Sequence, residues 1–116
     1  MCGIIGAFGQ HLPKDLSQRL ESGMRLMKHR GPDDQGREIV SLDETTVALG
    51  HMRLSIIDLS ASGRQPMTSA AGRHVMVFNG EIYNYRELRT ELESKGVKFR
   101  SNTDSEVLLE AWSLWG

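Results

Sequence analysis

The chain opens on an apolar run, Cys2-Gly3-Ile4-Ile5-Gly6-Ala7-Phe8, in which glycine recurs at 3, 6 and again at 9. Its length and its glycine punctuation predict a short buried strand over residues 4–8, with backbone or ligand close on one side. A strand buried so near the first residue obliges the rest of the chain to close around it. The run also carries the sole cysteine, Cys2. A single Cys excludes an internal disulfide framework and any multi-cysteine zinc site, and it fits a reducing cytoplasm.

The segments that follow mix helical and extended periods. Leu16, Leu20, Met24 and Met27 recur at spacings of three and four, which predicts a helix from Lys14 to Met27 with one apolar stripe. His29-Arg30-Gly31-Pro32-Asp33-Asp34 has turn chemistry and ends it. Residues 37–42 and 45–50 read as a hairpin with Asp43 and Glu44 near the turn. From His51 to Gly72 the composition is loop-like, with Leu54, Ile56 and Ile57 expected to find burial. His74 to Phe78 reads as a strand running into Asn79-Gly80-Glu81. A helix is expected over 85–95, capped by Asn84 with Glu87 completing a capping box and Gly96 at C′. Another starts near Asp104, where Thr103 and Glu106 form a second box. Its apolar face is expected to be Val107, Leu108, Ala111, Trp112 and Trp115, with both tryptophans buried. Strands and helices without strict βαβ alternation give an α+β class.

At 116 residues the chain is one small domain or part of a larger one. Hydrophobic residues at 39% and charged residues at 25% describe a globular chain. Fifteen acids against fourteen bases leave a net charge of −1, which gives no footprint for nucleic acid or an anionic membrane. No apolar run approaches the roughly 18 residues of a membrane span, and Cys2 to Phe8 lacks the basic flank of a signal peptide. The expectation is a soluble, cytoplasmic protein.

Cys2 follows Met1, and methionine is normally removed before a small residue. Removal places a thiol and an α-amine on one carbon, with reference pKa values of about 8.5 and about 8. A partly buried amine of lowered pKa then takes the thiol proton, so one residue is nucleophile and base together. The alternative is a small buried hydrophobe. Attack on a carbonyl needs donors for the oxyanion, and the Asn79 amide with the Gly80 N–H can supply them; an ordinary Asn-Gly turn is the other reading. Arg53, in the apolar stretch Met52-Arg53-Leu54-Ser55-Ile56-Ile57, can bind a carboxylate or merely form a salt bridge. Glu81 and Asp104 can hold an ammonium, or be a solvated acid and a helix-dipole partner. Thiol, oxyanion pair, cation and two anions together suit a zwitterionic amide such as glutamine.

Met1-Cys2-Gly3-Ile4-Ile5-Gly6, His29-Arg30-Gly31-Pro32-Asp33, Arg53-Leu54-Ser55-Ile56-Ile57-Asp58, Asn79-Gly80-Glu81-Ile82-Tyr83-Asn84 and Asn102-Thr103-Asp104-Ser105-Glu106 cover nearly the whole chain. In these motifs and their order the chain resembles the N-terminal glutaminase domain of the asparagine synthetase family, a class II glutamine amidotransferase of the Ntn-hydrolase type. The resemblance implies a four-layer αββα sandwich. It implies Cys2 as nucleophile and Asn79 with Gly80 as oxyanion hole. Arg53 would take the glutamine carboxylate, the backbone of Leu54, Ser55, Ile56 and Ile57 would line the pocket, and Glu81 and Asp104 would hold the amino group. No metal or cofactor serves this half-reaction.

In whole members of that family the domain continues past the point matching Gly116 into further strands. An ATP-pyrophosphatase-type synthetase domain using ATP and magnesium then follows. The expectation is therefore the N-terminal portion of the glutaminase domain over residues 1–116, incomplete in its last strands and lacking the synthetase partner. A retained Met1 would acylate the amine that serves as base. The alternatives are a glutaminase serving another acceptor (a sugar, a phosphoribosyl group or a polysaccharide precursor) and a non-catalytic fragment. An uncovered sheet edge makes self-association, with homo-oligomers, a further expectation.

Overall fold

The computed structural model describes residues 1–116. Strand β1 (Gly3–Gly9) leads into helix α1 (Leu16–Leu26) and then the hairpin of β2 (Asp34–Leu42) and β3 (Thr45–Arg53). A 3-10 turn at Ala61–Gly63 precedes two short strands, β4 (Met67–Thr68) and β5 (Val75–Met76). Helices α2 (Tyr85–Ser94) and α3 (Asp104–Trp115) follow. The architecture is mixed α+β, with one antiparallel sheet ordered β1-β3-β2 and a second made of β4 and β5.

Strand β3 is central because its residues pair on both sides. Gly3 to Gly9 of β1 run opposite Met52 to Thr46, and Asp34 to Leu42 of β2 run opposite Arg53 to Thr45. Asp43 makes the hairpin turn at a left-handed φ of 54°, a conformation Asp tolerates better than most residues. Alternation along the strands puts Ile5, Ala48 and Met52 on one face. Leu20 and Met24 of α1 pack there, flanked by Leu16 and Met27, which is the stripe the sequence predicts. The helix sits directly on the backbone at Gly50, where a Cβ would stand 2.8 Å from both Met24 Sδ and Ile5 Cγ2.

The opposite face meets the second sheet's flanks at β2 and β3. Gly36 has no room for a Cβ, which would lie 2.0 Å from the Gln65 carbonyl oxygen. The wholly buried His51 reaches the Phe78 carbonyl. Helix α3 lies along the segment that contains β4 and β5. Gln65 Nε2 donates to Ser105 Oγ at 3.2 Å, the Ala70 N–H donates to the Glu110 carboxylate at 2.7 Å, and Ser113 Oγ is 3.3 Å from His74 Nδ1. Helices α2 and α3 pack on each other, and Leu92, Val107 and Leu109 are buried.

Several expectations need correction. Residues 51–53 are strand, because His51 and Met52 pair with both neighbours and Arg53 pairs with Asp34 of β2. The strand expected over 74–78 is two residues long, since the Phe78 peptide bonds to side chains of Gln65 and His51 and joins no ladder. Asn84 makes no side-chain cap: its backbone (φ −95°, ψ 27°) is not the extended one a cap requires. Thr103 does cap α3, but the Glu106 carboxylate binds the Arg100 and Ser101 N–H groups instead of completing the box. Trp112 and Trp115 are 60% and 47% exposed, because α3 buries Glu106, Val107, Leu109 and Glu110. Ile56 and Ile57 are also exposed.

Candidate functional site

Cys2 lies just before β1, and the β1–β3 register, with Gly3 opposite Met52, carries it to Arg53, so that its side chain meets the next residue. There the Leu54 N–H donates to Cys2 Sγ at 3.3 Å, and the thiol lies 3.7 Å from the Leu54 carbonyl oxygen. The sulfur is half-buried. The turn His29–Asp33 braces this point. A Cβ on Gly31 would fall 2.2 Å from the Met52 carbonyl oxygen, so only glycine admits the close approach. Asp33 then donates its N–H to Arg53 O at 3.0 Å and accepts the Ser55 N–H at 2.7 Å. A motif without a chemical role in the sequence reading thus holds the strand end that faces the thiol.

Arg53 is 7% exposed, and the chain folds back over its guanidinium. Nη1 donates to Ser60 O at 2.7 Å and Nη2 donates to Asp58 O. Gly63 lies so close that a Cβ would come within 2.3 Å of Nη2. The turn is itself locked by Asp58, whose carboxylate accepts the Asn102 N–H at 2.9 Å and the Ser60 N–H at 2.8 Å. These donors, Asn102 foremost, hold the Asp58 carboxyl well below the usual carboxylate range, at about 2. Two of the five guanidinium N–H groups are used in this way.

The third wall is the segment from Phe78 to Ile82. Its Phe78 N–H donates to Gln65 Oε1 at 2.6 Å, and its Ile82 N–H donates to Asp104 Oδ2 at 2.9 Å. Asp104, at the first turn of α3, is 7% exposed. Between these anchors the Gly80 N–H and the Asn79 side chain have no hydrogen-bond partner within the chain.

These walls enclose a cavity of about 540 Å³. Cys2, Arg53, Leu54, Ile56, Ile57, Asn79, Gly80, Glu81 and Asp104 all line it. Ser55 does not, its N–H being turned to Asp33. Motifs far apart in sequence therefore meet at one place. The sequence reading did not single out Gln65, Tyr85 or Ser105, which also line the cavity, nor His51 behind it. His51 had a legible signal, a polar ring inside an apolar central strand, which must find a partner if buried. A smaller cavity of about 310 Å³ shares Cys2 and Asn79 and is otherwise lined by Gly3, Ile4, Met27, His29 and Arg30. Nowhere do three or more His, Cys, Asp or Glu side chains converge as a metal cage would require.

The cleft of this mixed α+β domain gathers a thiol, a buried guanidinium and three acidic residues, Asp58, Glu81 and Asp104. The chain belongs to the glutamine amidotransferase domain family, whose sequence pattern matches residues 1–116. It is 40% identical over 115 residues to asparagine synthetase (glutamine-hydrolyzing) 1 of Bacillus subtilis strain 168, covering 97% of this chain and 17% of that protein. Asparagine synthetase B (glutamine-hydrolyzing) of Escherichia coli strain K12 is 40% identical over 110 residues, 94% of this chain and 19% of its own length. A protein named amidase chry2, from Gibberella zeae, is 41% identical over 103 residues, 89% of this chain and 15% of its own. The chain thus spans less than a fifth of these three relatives.

Proposed function

We propose that this chain hydrolyses L-glutamine to glutamate and ammonia with Cys2 as nucleophile, and that a synthetase domain of the parent protein consumes the ammonia. The observation that carries this reading is the convergence of Cys2, Arg53, Asn79, Gly80, Glu81 and Asp104 on one cavity. Arg53, through N–H groups beyond the two that grip the turn, takes the α-carboxylate of glutamine, while Glu81 and Asp104 take its ammonium. The side-chain amide is thereby presented to the thiol.

After removal of Met1, the Cys2 α-amine accepts the thiol proton and the thiolate attacks the amide carbon. The carbonyl π electrons move to oxygen, where the Asn79 amide and the Gly80 N–H stabilise the charge. A donor of this kind is worth about 10²–10³ in rate. Collapse re-forms the carbonyl and breaks the C–N bond as the Cys2 ammonium gives its proton to the leaving NH2 group, which departs as ammonia. Water then attacks the glutamyl thioester as the amine takes its proton, and the thiol leaves with glutamate released. ATP and magnesium belong to the synthetase step, in the cytoplasm.

The similarity to asparagine synthetases supports aspartate as the ammonia acceptor; a relative of similar identity is named an amidase and not an asparagine synthetase, which keeps a different acceptor as the second reading. The test is an intact mass followed by incubation with the glutamine mimic diazo-oxo-norleucine. Loss of Met1 and one adduct on Cys2, blocked by glutamine, is expected. Cys2→Ala is expected to remove both the adduct and glutamine hydrolysis while leaving the melting temperature nearly unchanged. An adduct elsewhere, or one indifferent to glutamine, would show the nucleophile assignment to be wrong.

A further inference from the structure

The Phe78 peptide is gripped on both sides by buried side chains. Gln65 Oε1 accepts its N–H at 2.6 Å, and His51 Nε2 lies 3.1 Å from its carbonyl oxygen. A carbonyl only accepts, so Nε2 carries the imidazole proton and Nδ1 carries the lone pair. Nδ1 is the one buried side-chain polar atom of the chain without a hydrogen-bond partner. An apolar residue at 51 would avoid that cost, so the Nε2 bond is what the imidazole contributes. Gln65 is 5% exposed, and its other end donates to Ser105 Oγ at 3.2 Å, beside Asp104.

Phe78 immediately precedes Asn79 and Gly80. His51 stands on β3 three residues before Leu54, whose N–H contacts the Cys2 sulfur. One strand therefore holds the thiol's neighbour at its end and the oxyanion donors' neighbour through His51. We propose that His51 and Gln65 are positioning residues for glutamine hydrolysis, setting the Asn79 amide and Gly80 N–H against the oxygen of the carbonyl that Cys2 attacks. Oxyanion donors act only within about 2.7–3.1 Å of the developing charge. A displacement of about 1 Å costs on the order of 10² in rate without removing any group that binds substrate. The inference rests on the function proposed above.

The experiment uses the parent protein carrying His51→Leu, His51→Gln and Gln65→Leu. Steady-state hydrolysis is measured alongside glutamine binding by calorimetry in a Cys2→Ala background. His51→Leu and Gln65→Leu are expected to lower kcat about 10- to 100-fold while glutamine Kd stays within about two-fold. His51→Gln, whose amide N–H replaces Nε2–H, restores most of the rate. A ¹⁵N spectrum of the unmutated protein is expected to show the His51 imidazole neutral with its proton on Nε2, a readout that needs neither a variant nor activity. A proton on Nδ1, a wild-type kcat in His51→Leu, or a kcat loss matched by weaker glutamine binding and not restored by Gln each overturns the proposal. Unmutated protein that neither hydrolyses glutamine nor labels at Cys2 overturns the functional reading and this inference together. Activity with an indifferent His51→Leu overturns this inference alone.

Discussion

The Asp58 carboxylate accepts N–H groups from Asn102 and Ser60, and these donors favour its charged form enough to bring its pKa to about 2. The unfolded chain has the ordinary value of about 3.9, so this stabilisation is complete above about pH 4 and is lost as pH falls toward 2. His51 shifts in the same direction for another reason. Burial penalises its imidazolium and outweighs the upward pull of the Phe78 carbonyl, and Arg53 adds to the lowering. The unfolded histidine binds a proton from about pH 6.5 downward while the folded one resists it. Folding stability contributed by a neutral His51 is therefore present above pH 6.5 and declines below it. Urea unfolding midpoints measured from pH 8 to pH 2 are expected to fall in two steps. His51→Gln removes its share of the first and Asp58→Asn flattens the second; curves that run parallel to the unmutated protein would show these assignments to be wrong. Of the groups in the cleft, Cys2, Arg53 and Asn79 were legible because thiol, lone cation in an apolar stretch and strand-end Asn-Gly each carry a chemical signature. Gln65 carried none, since its work depends on which peptide it meets through space.

Helix starts show how far local sequence reaches. Thr103 and Asn84 are both good capping residues by type, and each is followed three positions later by Glu. Thr103 has extended backbone (φ −81°, ψ 148°), and its Oγ1 accepts the Glu106 N–H at 3.2 Å. Asn84 continues a turn in which the Tyr85 N–H already donates to Ile82 O at 3.2 Å, and its side chain makes no cap bond. The difference arises from the preceding chain, which Asp104 holds through the Ile82 N–H. Thr103→Ala is accordingly expected to cost about 1 kcal/mol in urea unfolding, whereas Asn84→Ala is expected to stay within about 0.5 kcal/mol. Equal losses would contradict the caps described. The same limit governs the strands: the β2–β3 hairpin announced itself by alternation around Asp43-Glu44. Of the short β4–β5 pair, β5 was legible but overextended and β4 was not, because the flanking Phe78 peptide is satisfied by a side chain distant in sequence.

At the scale of the molecule, α+β character and the α1 stripe follow from periodicity, while the sites of exposure do not. Helix α3 buries acids that find N–H partners and leaves Trp112 and Trp115 facing outward, an outcome that depends on the β4–β5 segment and the 100–101 loop, which supply those partners. The three-stranded sheet has two edges, and they differ in protection. The edge strand β2 carries Asp34, Arg37 and Glu38, whereas β1 carries neither charge nor proline. Charges and proline are the devices that keep edges from pairing with another chain. On the face away from α1, Phe8 of β1 is 79% exposed. A net charge of −1 supplies little long-range repulsion between copies. Association through the β1 edge is therefore expected, and sedimentation velocity over a hundred-fold concentration range should show the mean mass rising. Phe8→Lys removes the exposed ring and places a charge on the unprotected edge, and it is expected to shift the population to monomer. Leu26→Lys, equally exposed but at the end of α1, is the control for a general gain in charge and is expected to leave association unchanged. If both substitutions disperse the assembly alike, repulsion and not strand pairing governs it. If neither does, the contact lies elsewhere, with the exposed tryptophans of α3 the next surface to change.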